Sequence, residues 1–307
     1  MNPFTDLVGS KWPLQQAGMS GTATSTLAAA VSNAGGLGMI GVGRQQSAVV
    51  ERYLDEVAAL THSPVGATCI AQFVLPDVVE LLASRLRIVE FFYEWPDAAR
   101  VPANVICGWQ VGSVDEAKAA VDAGCRYVIA QGMEAGGHVR GHEPLAELLP
   151  AVRAAVSVPV VAAGGIGNVA AIRSALSLGA DAVRVGTRFV ATLESYAHPL
   201  YIDALVAANT EDSVLTEAFA IGWPDAPHRV LQSAIDAAKS APDDVVGQTV
   251  PAGGMPMPMP RFGVSTPTRD TTGDIRAMAL YAGRSVGSVH RVMSAAEVVA
   301  ELSAAFT

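Results

Sequence analysis

Short apolar runs rich in β-branched residues alternate with alanine-rich segments of helical periodicity through the first 190 residues. This alternation is typical of βα units that build a parallel sheet. It predicts eight strands, near residues 14–17, 37–41, 65–69, 88–92, 103–107, 127–130, 158–162 and 182–185. Eight such units favour an α/β protein of the (β/α)8 TIM-barrel type. An open doubly wound sheet is the alternative, because an apolar pattern does not show whether a sheet closes.

Signals at the helix ends support the same units. Ser113-Val-Asp-Glu116 has the spacing of a capping box and predicts a helix that ends at Ala123-Gly124. Asn168 is the expected N-cap of another helix, which ends at Leu178-Gly179. In both units only a few residues separate the helix from the next strand, as the short loops of a barrel require.

The alternation stops after residue 190, and periodic segments with charged faces predict helices at 201–209, 213–219 and 229–239. We interpret residues 191–260 as a helical lobe inserted after strand 8 of the barrel, which residues 1–190 form. At the end of this range, Pro256, Pro258 and Pro260 exclude a helix and predict an extended segment. It serves either as a surface connector or as a methionine-lined loop over an apolar pocket. Residues 261–307, with helices predicted at 274–283 and 294–305, are expected to close on the barrel.

Composition narrows the possible partners. Half of the 307 residues are apolar, and 20 basic against 29 acidic residues give a net charge of −9. No stretch gathers Lys or Arg, so we expect neither nucleic acid nor an anionic membrane as a partner. The uncharged segment 12–43 is broken by polar residues and glycines, which favours a buried barrel segment over a membrane span. Three well-separated cysteines and the lack of a secretion signal predict a cytoplasmic protein with reduced thiols.

The stretch Gln131-Gly-Met-Glu-Ala-Gly-Gly-His138 follows directly on the strand predicted at 127–130. It places a titratable imidazole on a glycine turn at the carboxyl end of a strand, where α/β barrels collect their active sites. His138 is therefore the candidate catalytic residue, and a structural histidine is the alternative. His142 lies four residues later in a predicted loop, and no third ligand accompanies the pair, so no metal site is predicted.

Two glycine turns follow the last two predicted strands. Gly164-Gly165 comes after the strand at 158–162, and Gly186-Thr187 comes after the strand at 182–185. Glycine lets backbone N–H groups approach an anion closely. Loops after the seventh and eighth strands form the phosphate site of many α/β barrels, so the two turns together predict a bound phosphate group.

These motifs resemble the nitronate monooxygenase family, formerly called 2-nitropropane dioxygenases. Members are FMN-dependent (β/α)8 enzymes that are also similar to the flavin-type enoyl-acyl carrier protein reductases. The resemblance covers nearly the whole chain, and the segment from Gln131 to His138 is its most selective part. The other matching segments are 13–19, 27–38, 163–166 and 186–189.

The resemblance implies FMN as the cofactor and a role for each matching residue. Met19 would lie against the isoalloxazine ring, and His138 would face its reactive edge. The remaining implied contacts are Gln131, Gly136 and Gly137 to the flavin, and Gly164, Gly165, Gly186 and Thr187 to its phosphate.

Two positions depart from the family pattern and are still expected to bind the cofactor. Thr68 stands where the family often has Asn, and its hydroxyl retains one donor. Arg184 stands where the family often has Gln, and it is expected either to face outward or to strengthen the phosphate site. Ala17-Gly18-Met19 replaces the usual Ala-Pro-Met.

The chemistry implied is the oxidation of alkyl nitronates by dioxygen. A neutral imidazole with a pKa near neutrality would also let His138 remove the acidic α-carbon proton of a nitroalkane. The flavin would then transfer electrons from the nitronate to dioxygen, because no side chain can carry out this redox step. Alternatives are an NAD(P)H-dependent flavin reductase of an enoyl thioester or quinone, and a non-catalytic binder of a phosphorylated ligand. A homo-oligomer is possible in each case.

Overall fold

Eight parallel strands form the centre of the computed structural model, which describes residues 2–250 and 254–307. Their bounds are β1 Leu14–Gln16, β2 Gly38–Val42, β3 Val65–Ile70, β4 Ile88–Phe92, β5 Ile106–Val111, β6 Tyr127–Gln131, β8 Val160–Ala163 and β9 Ala182–Val185. A two-residue strand, β7 Gly137–His138, stands outside this sheet.

The sheet closes into a barrel. Its hydrogen-bonded order is β1-β9-β8-β6-β5-β4-β3-β2. A parallel bridge between Gln15 and Leu37 then joins β1 to the β2 side, with the Leu37 amide donating to the Leu14 carbonyl at 2.8 Å. The TIM-barrel prediction is confirmed, and the open-sheet alternative is excluded because the two edges are paired.

The predicted strands agree with the observed ones except at the fifth. The prediction was residues 103–107, whereas β5 is Ile106–Val111. Ala103 and Asn104 lie in a turn, where the Asn104 side chain donates to the Ala83 carbonyl at 3.0 Å. The short apolar run in that turn has the pattern of a strand, and only the sheet pairing distinguishes the turn from the strand.

Helices follow most of the barrel strands. Their bounds are α1 Pro3–Val8, α2 Ser25–Asn33, α3 Ser47–Leu60, α4 Pro76–Arg85, α5 Val114–Asp122, α6 Leu145–Ala155, α7 Val169–Ser177 and α8 Thr187–Val190. The predicted N-cap Asn168 is confirmed, since its side chain accepts from the Ala171 amide at 2.9 Å. Ser113 likewise caps α5, but the Glu116 carboxylate accepts from the Gly112 amide, so the capping box is incomplete.

The lobe after the barrel contains helices and strands together. The helix α9 Pro199–Ala207 agrees with the prediction for 201–209. The prediction of a helix at 213–219 is wrong, because this segment is the strand β10 Ser213–Thr216. Residues 229–239 divide into the strand β11 His228–Leu231 and the helix α10 Gln232–Ser240. Pairing in the order β10-β11-β7 explains the difference, since tertiary contacts override a weak local preference.

The proline-rich segment is extended, as predicted. The strand β13 Met257–Pro260 lies at the edge of a small sheet with β12 Val245–Thr249 and β14 Thr271–Gly273. An edge position suits prolines, which donate no ladder hydrogen bonds. The predicted helix at 274–283 is wrong, since only a 3-10 turn, Ile275–Ala277, forms there. The last helix, α11 Ala295–Ser303, is confirmed and begins at the capping residue Ser294.

The barrel and the lobe have separate apolar cores. Residues 275–289 pack into the lobe core with Tyr201, Phe219 and Leu231, whereas α11 packs on the barrel through Val298 and Leu302. The segment 261–307 is therefore shared between the two. Among the residues that the structure describes, no helix is long and apolar enough to cross a membrane.

Candidate active site

His138 is held at the carboxyl end of the barrel by the strand before it and by the lobe. Gly137 turns the chain with a φ of +75°, and His138 then pairs with His228 of β11 in an antiparallel register. The Gln131 side chain donates to the His138 carbonyl at 2.9 Å and accepts from the Arg140 amide at 3.0 Å. Both polar ends of Gln131 thus hold the turn that presents His138, and its contact with a flavin stays a prediction.

Gly136 lies where two chain segments approach each other closely. A Cβ at this position would lie 2.4 Å from the Gly283 nitrogen. Next to it, the Glu134 carbonyl accepts from the Arg284 amide at 3.0 Å, and the Glu134 carboxylate accepts from the Leu145 amide at the start of α6. Hydrogen bonds of Glu134 therefore join the motif to the start of α6 on one side and to Arg284 on the other.

Aromatic rings surround the His138 imidazole. Trp223 stacks on it at a centroid distance of 3.8 Å, and Tyr93, Tyr281 and His228 lie within 6.4 Å. The Nε2 atom of His138 is buried and has no hydrogen-bond partner among the described residues. Burial, with a smaller contribution from His228, lowers the pKa of His138 to about 3. The expectation of a pKa near neutrality is wrong, because the aromatic enclosure disfavours the charged imidazolium.

His228 is neutral and fixed in orientation. Its Nε2 accepts from the Phe219 amide at 3.1 Å, which leaves the proton on Nδ1 for the Ala226 carbonyl at 2.8 Å. Burial lowers the pKa of His228 as well. Since both ring nitrogens are engaged, His228 supports the His138 strand and is not available as a second base.

The two predicted glycine turns carry backbone amides without partners among the described residues. Gly164 and Gly165 have φ values of +118° and +68°, which favour glycine over any residue with a side chain. The amides of Gly165, Gly167 and Gly186 donate no hydrogen bond to any described residue.

Open space adjoins Gly186 and Gly137. A Cβ on Gly186 would find only Ala17 and Met19, each at 3.6 Å, and a Cβ on Gly137 would find nothing within 4 Å. Thr187 adjoins this space, although its Oγ1 accepts from the Gly283 amide at 3.1 Å. Met19 thus lies beside Gly186 and Thr187, and the contacts of these residues with a flavin stay a prediction.

Arg184 faces the barrel interior, so neither expected orientation is found. Its Nε and Nη1 atoms donate to the side-chain oxygens of Gln15 at 2.9 Å and Gln110 at 2.6 Å, and its Nη2 donates to Glu90. Thr68 belongs to the same group and donates to Glu90 at 2.8 Å. The buried carboxylate explains the correction, because it attracts the guanidinium away from the phosphate turns.

Sequence reasoning missed several residues that shape the site. Glu90 and Arg184 were detectable, since each is a single charge inside an otherwise apolar strand and such charges need partners. Trp223 and Tyr93 carry no comparable signal in the sequence. Their role depends on loop positions that no periodicity specifies.

The closed barrel with a candidate catalytic residue at the carboxyl ends of its strands defines an enzyme of the TIM-barrel class. A family model described as nitronate monooxygenase matches residues 2–80 and 82–305. The chain therefore belongs to the nitronate monooxygenase family.

Individual relatives agree with this assignment. A probable nitronate monooxygenase of Staphylococcus aureus (strain JH9) is 30% identical over 71% of this chain and 76% of the relative. FabK from Thermotoga maritima superposes with a TM-score of 0.80 at 28% identity, over 100% of this chain and 96% of that one. A nitroalkane oxidase from Streptomyces ansochromogenes superposes with a TM-score of 0.76 at 29% identity, over 99% and 98% of the two chains.

The chain is accordingly a flavin-dependent oxidoreductase that acts on a small molecule. Its residues fit such a cofactor. The unpaired amides of Gly165, Gly167 and Gly186 suit a phosphate, and the open space at Gly186, beside Met19, leaves room for a bound group. The buried, unpaired Nε2 of His138 is a polar atom that a bound ligand would satisfy.

The low pKa of His138 predicts a loss of stability in acid. In the unfolded chain this imidazole takes up a proton near pH 6.5, the ordinary pKa of histidine, whereas in the folded chain it resists protonation down to about pH 3. Lowering the pH from about 7 to about 5 should therefore destabilise the fold by up to roughly 2 kcal/mol through this residue. Urea unfolding of the parent and of His138→Asn at both pH values measures the effect. An equal loss in both proteins would contradict it.

Proposed function

We propose that the protein is an FMN-dependent nitronate monooxygenase that oxidises alkyl nitronates with dioxygen. The observation that carries the proposal is the buried and unpaired Nε2 of His138, which lies at the carboxyl end of the barrel, where the two glycine turns also follow their strands. Membership of the nitronate monooxygenase family and the likeness to a nitroalkane oxidase support the same reaction.

FMN is the proposed form of the flavin. Its terminal phosphate would accept hydrogen bonds from the amides of Gly164 to Gly167 and of Gly186 and Thr187, and its ring would lie beside Met19. Bound FMN supplies the electron transfer that no side chain of the protein can perform. Gln131, Gly136 and Gly137 then hold and shape the turn that faces the ring.

The environment of His138 favours a nitronate over its parent nitroalkane. A residue whose pKa lies at about 3 is a weak base, so removing a proton from a neutral nitroalkane is strongly uphill. A nitronate has already lost that proton and needs only a hydrogen bond from the neutral imidazole. The stacked Trp223 and the neighbouring Tyr93 exclude water, which strengthens this hydrogen bond.

Oxygen consumption tests the proposal directly. The purified protein should carry the absorption bands of FMN and consume oxygen when an alkyl nitronate is added in air, without a nicotinamide. Anaerobic bleaching of the flavin by NADH or NADPH, with no oxygen uptake on nitronate, would instead support a reductase of an enoyl thioester or quinone. The structural likeness to FabK is the reason for including this anaerobic measurement.

His138→Asn separates the two substrates. We expect the variant to lose the slow turnover of neutral nitroalkanes that the weakly basic His138 supports, and to keep FMN and part of its nitronate turnover. The matched control is His142→Asn, a substitution at an exposed position in the same loop. Oxygen uptake on both substrates is the measurement, and nitroalkane turnover at the parent rate would show that His138 is not the base.

Gly186→Ala tests the cofactor cavity. The new Cβ would meet no described atom closer than 3.6 Å, so the apo fold should tolerate it within about 1 kcal/mol. The methyl group would nevertheless occupy space proposed for the phosphate, and we expect FMN affinity to fall roughly tenfold or more. Fluorescence titration of FMN and urea unfolding of the apoprotein measure the two effects. Unchanged affinity would place the phosphate elsewhere.

A further inference from the structure

A layer of polar side chains lies inside the barrel, below the carboxyl ends of its strands. At its centre is Glu90, which is fully buried. The Glu90 carboxylate accepts hydrogen bonds from Gln15 Nε2 at 2.6 Å, Thr68 Oγ1 at 2.8 Å, Tyr127 Oη at 2.6 Å and Arg184 Nη2. A carboxylate with four donors is completely satisfied, so this layer is an ordered network and not a random burial of charge.

The network has a fixed hydrogen-bond direction. Glu90 only accepts, and the Arg184 guanidinium only donates. Arg184 also donates through Nη1 to the side-chain oxygen of Gln110 at 2.6 Å. Every side chain that contacts either member of the ion pair must therefore turn the complementary atom toward it.

Two side chains keep one polar function free as a result. Thr68 has a single hydroxyl proton, which it donates to Glu90, so only its oxygen lone pairs remain for another partner. Gln110 gives its oxygen to Arg184, so only its NH2 group remains. That NH2 group has no acceptor among the described residues. It also does not belong to the fully buried polar atoms of those residues that lack a partner.

The layer lies close to the turn at Met19 and to Gly186. A Cβ on Gly18, next to Met19, would lie 2.4 Å from Thr68 Oγ1, and Arg184 is two residues before Gly186. Thr68 therefore packs against the turn at Gly18 and Met19. Gln110 is near the end of β5 and is almost wholly buried.

We propose that the Glu90–Arg184 ion pair is a positioning device for the flavin ring, presenting Thr68 as an acceptor and Gln110 as a donor. The pyrimidine edge of an oxidised flavin has one ring donor, N3–H, between two carbonyl oxygens. An acceptor-only hydroxyl can pair with this edge only at N3–H, and a donor-only amide can pair only with a carbonyl oxygen or a ring nitrogen. The inference rests on the proposed function, since it concerns the cofactor of the same site.

Binding of FMN and of N3-methyl-FMN to the apoprotein tests the device without any turnover. Methylation removes N3–H, so the parent should bind the analogue roughly tenfold more weakly than FMN. The double variant Glu90→Gln/Arg184→Gln keeps the network neutral and lets both amides rotate. Its ratio of the two dissociation constants should fall to about three or less, because Thr68 is free to reorient.

Three further variants define the controls. Thr68→Val removes the acceptor and should also abolish the discrimination. Arg184→Lys keeps a charge opposite Glu90, so it should keep the discrimination while FMN affinity falls about tenfold through the freed Gln110. Arg153→Gln/Asp181→Asn removes another barrel ion pair, which has a 2.9 Å separation and does not contact this network, and should leave the ratio unchanged.

The outcomes are distinct. Equal affinity of the parent for both flavins, or a full ratio in the Glu90/Arg184 double variant or in Thr68→Val, would overturn the positioning role while leaving FMN as the cofactor. Failure of the parent to bind FMN at all would overturn the proposed cofactor together with this inference. A parent that discriminates at N3 but does not oxidise nitronate would support the inference and contradict the proposed reaction.

Discussion

A buried carboxylate that must be neutralised organises the interior of this barrel. Glu90 of β4 is satisfied by side chains from β1, β3, β6 and β9, so one acceptor ties together strands that are distant in the sequence. Removing one member of such a pair costs about 3–5 kcal/mol, whereas replacing both is often nearly neutral. The pair is thus better understood as a source of order than of net stability.

The lobe completes the site that the barrel begins. The antiparallel pairing of β7 with β11 places His138 opposite His228 and brings Trp223 onto the imidazole. Arg229, next along β11, donates to the Met133 carbonyl and fastens the same motif. His138 therefore owes its position to the barrel and the lobe together, and its low pKa largely to burial in the aromatic enclosure to which the lobe contributes.

Much of the fold could be predicted because the barrel repeats one simple unit. Alternating apolar strands and capped helices located seven of the eight strands to within three residues, and Asn168 and Ser113 were identified as caps. Prediction failed where no repeat exists. The segment around Val214 is a strand only because β11 lies beside it, and the fifth strand was displaced because the turn at Asn104 is apolar.

The sequence by itself determined the eight βα units, the glycine turns and the family, since these depend on local periodicity and on short motifs such as Gln131 to His138. Tertiary structure decided what the individual groups do. Arg184 turns inward because Glu90 lies across the barrel, and Gln131 holds the turn that carries His138 because that turn folds back over it. His138 is neutral because rings from separate loops enclose it. Charge pairing and desolvation depend on neighbours in space, and a linear pattern does not contain them.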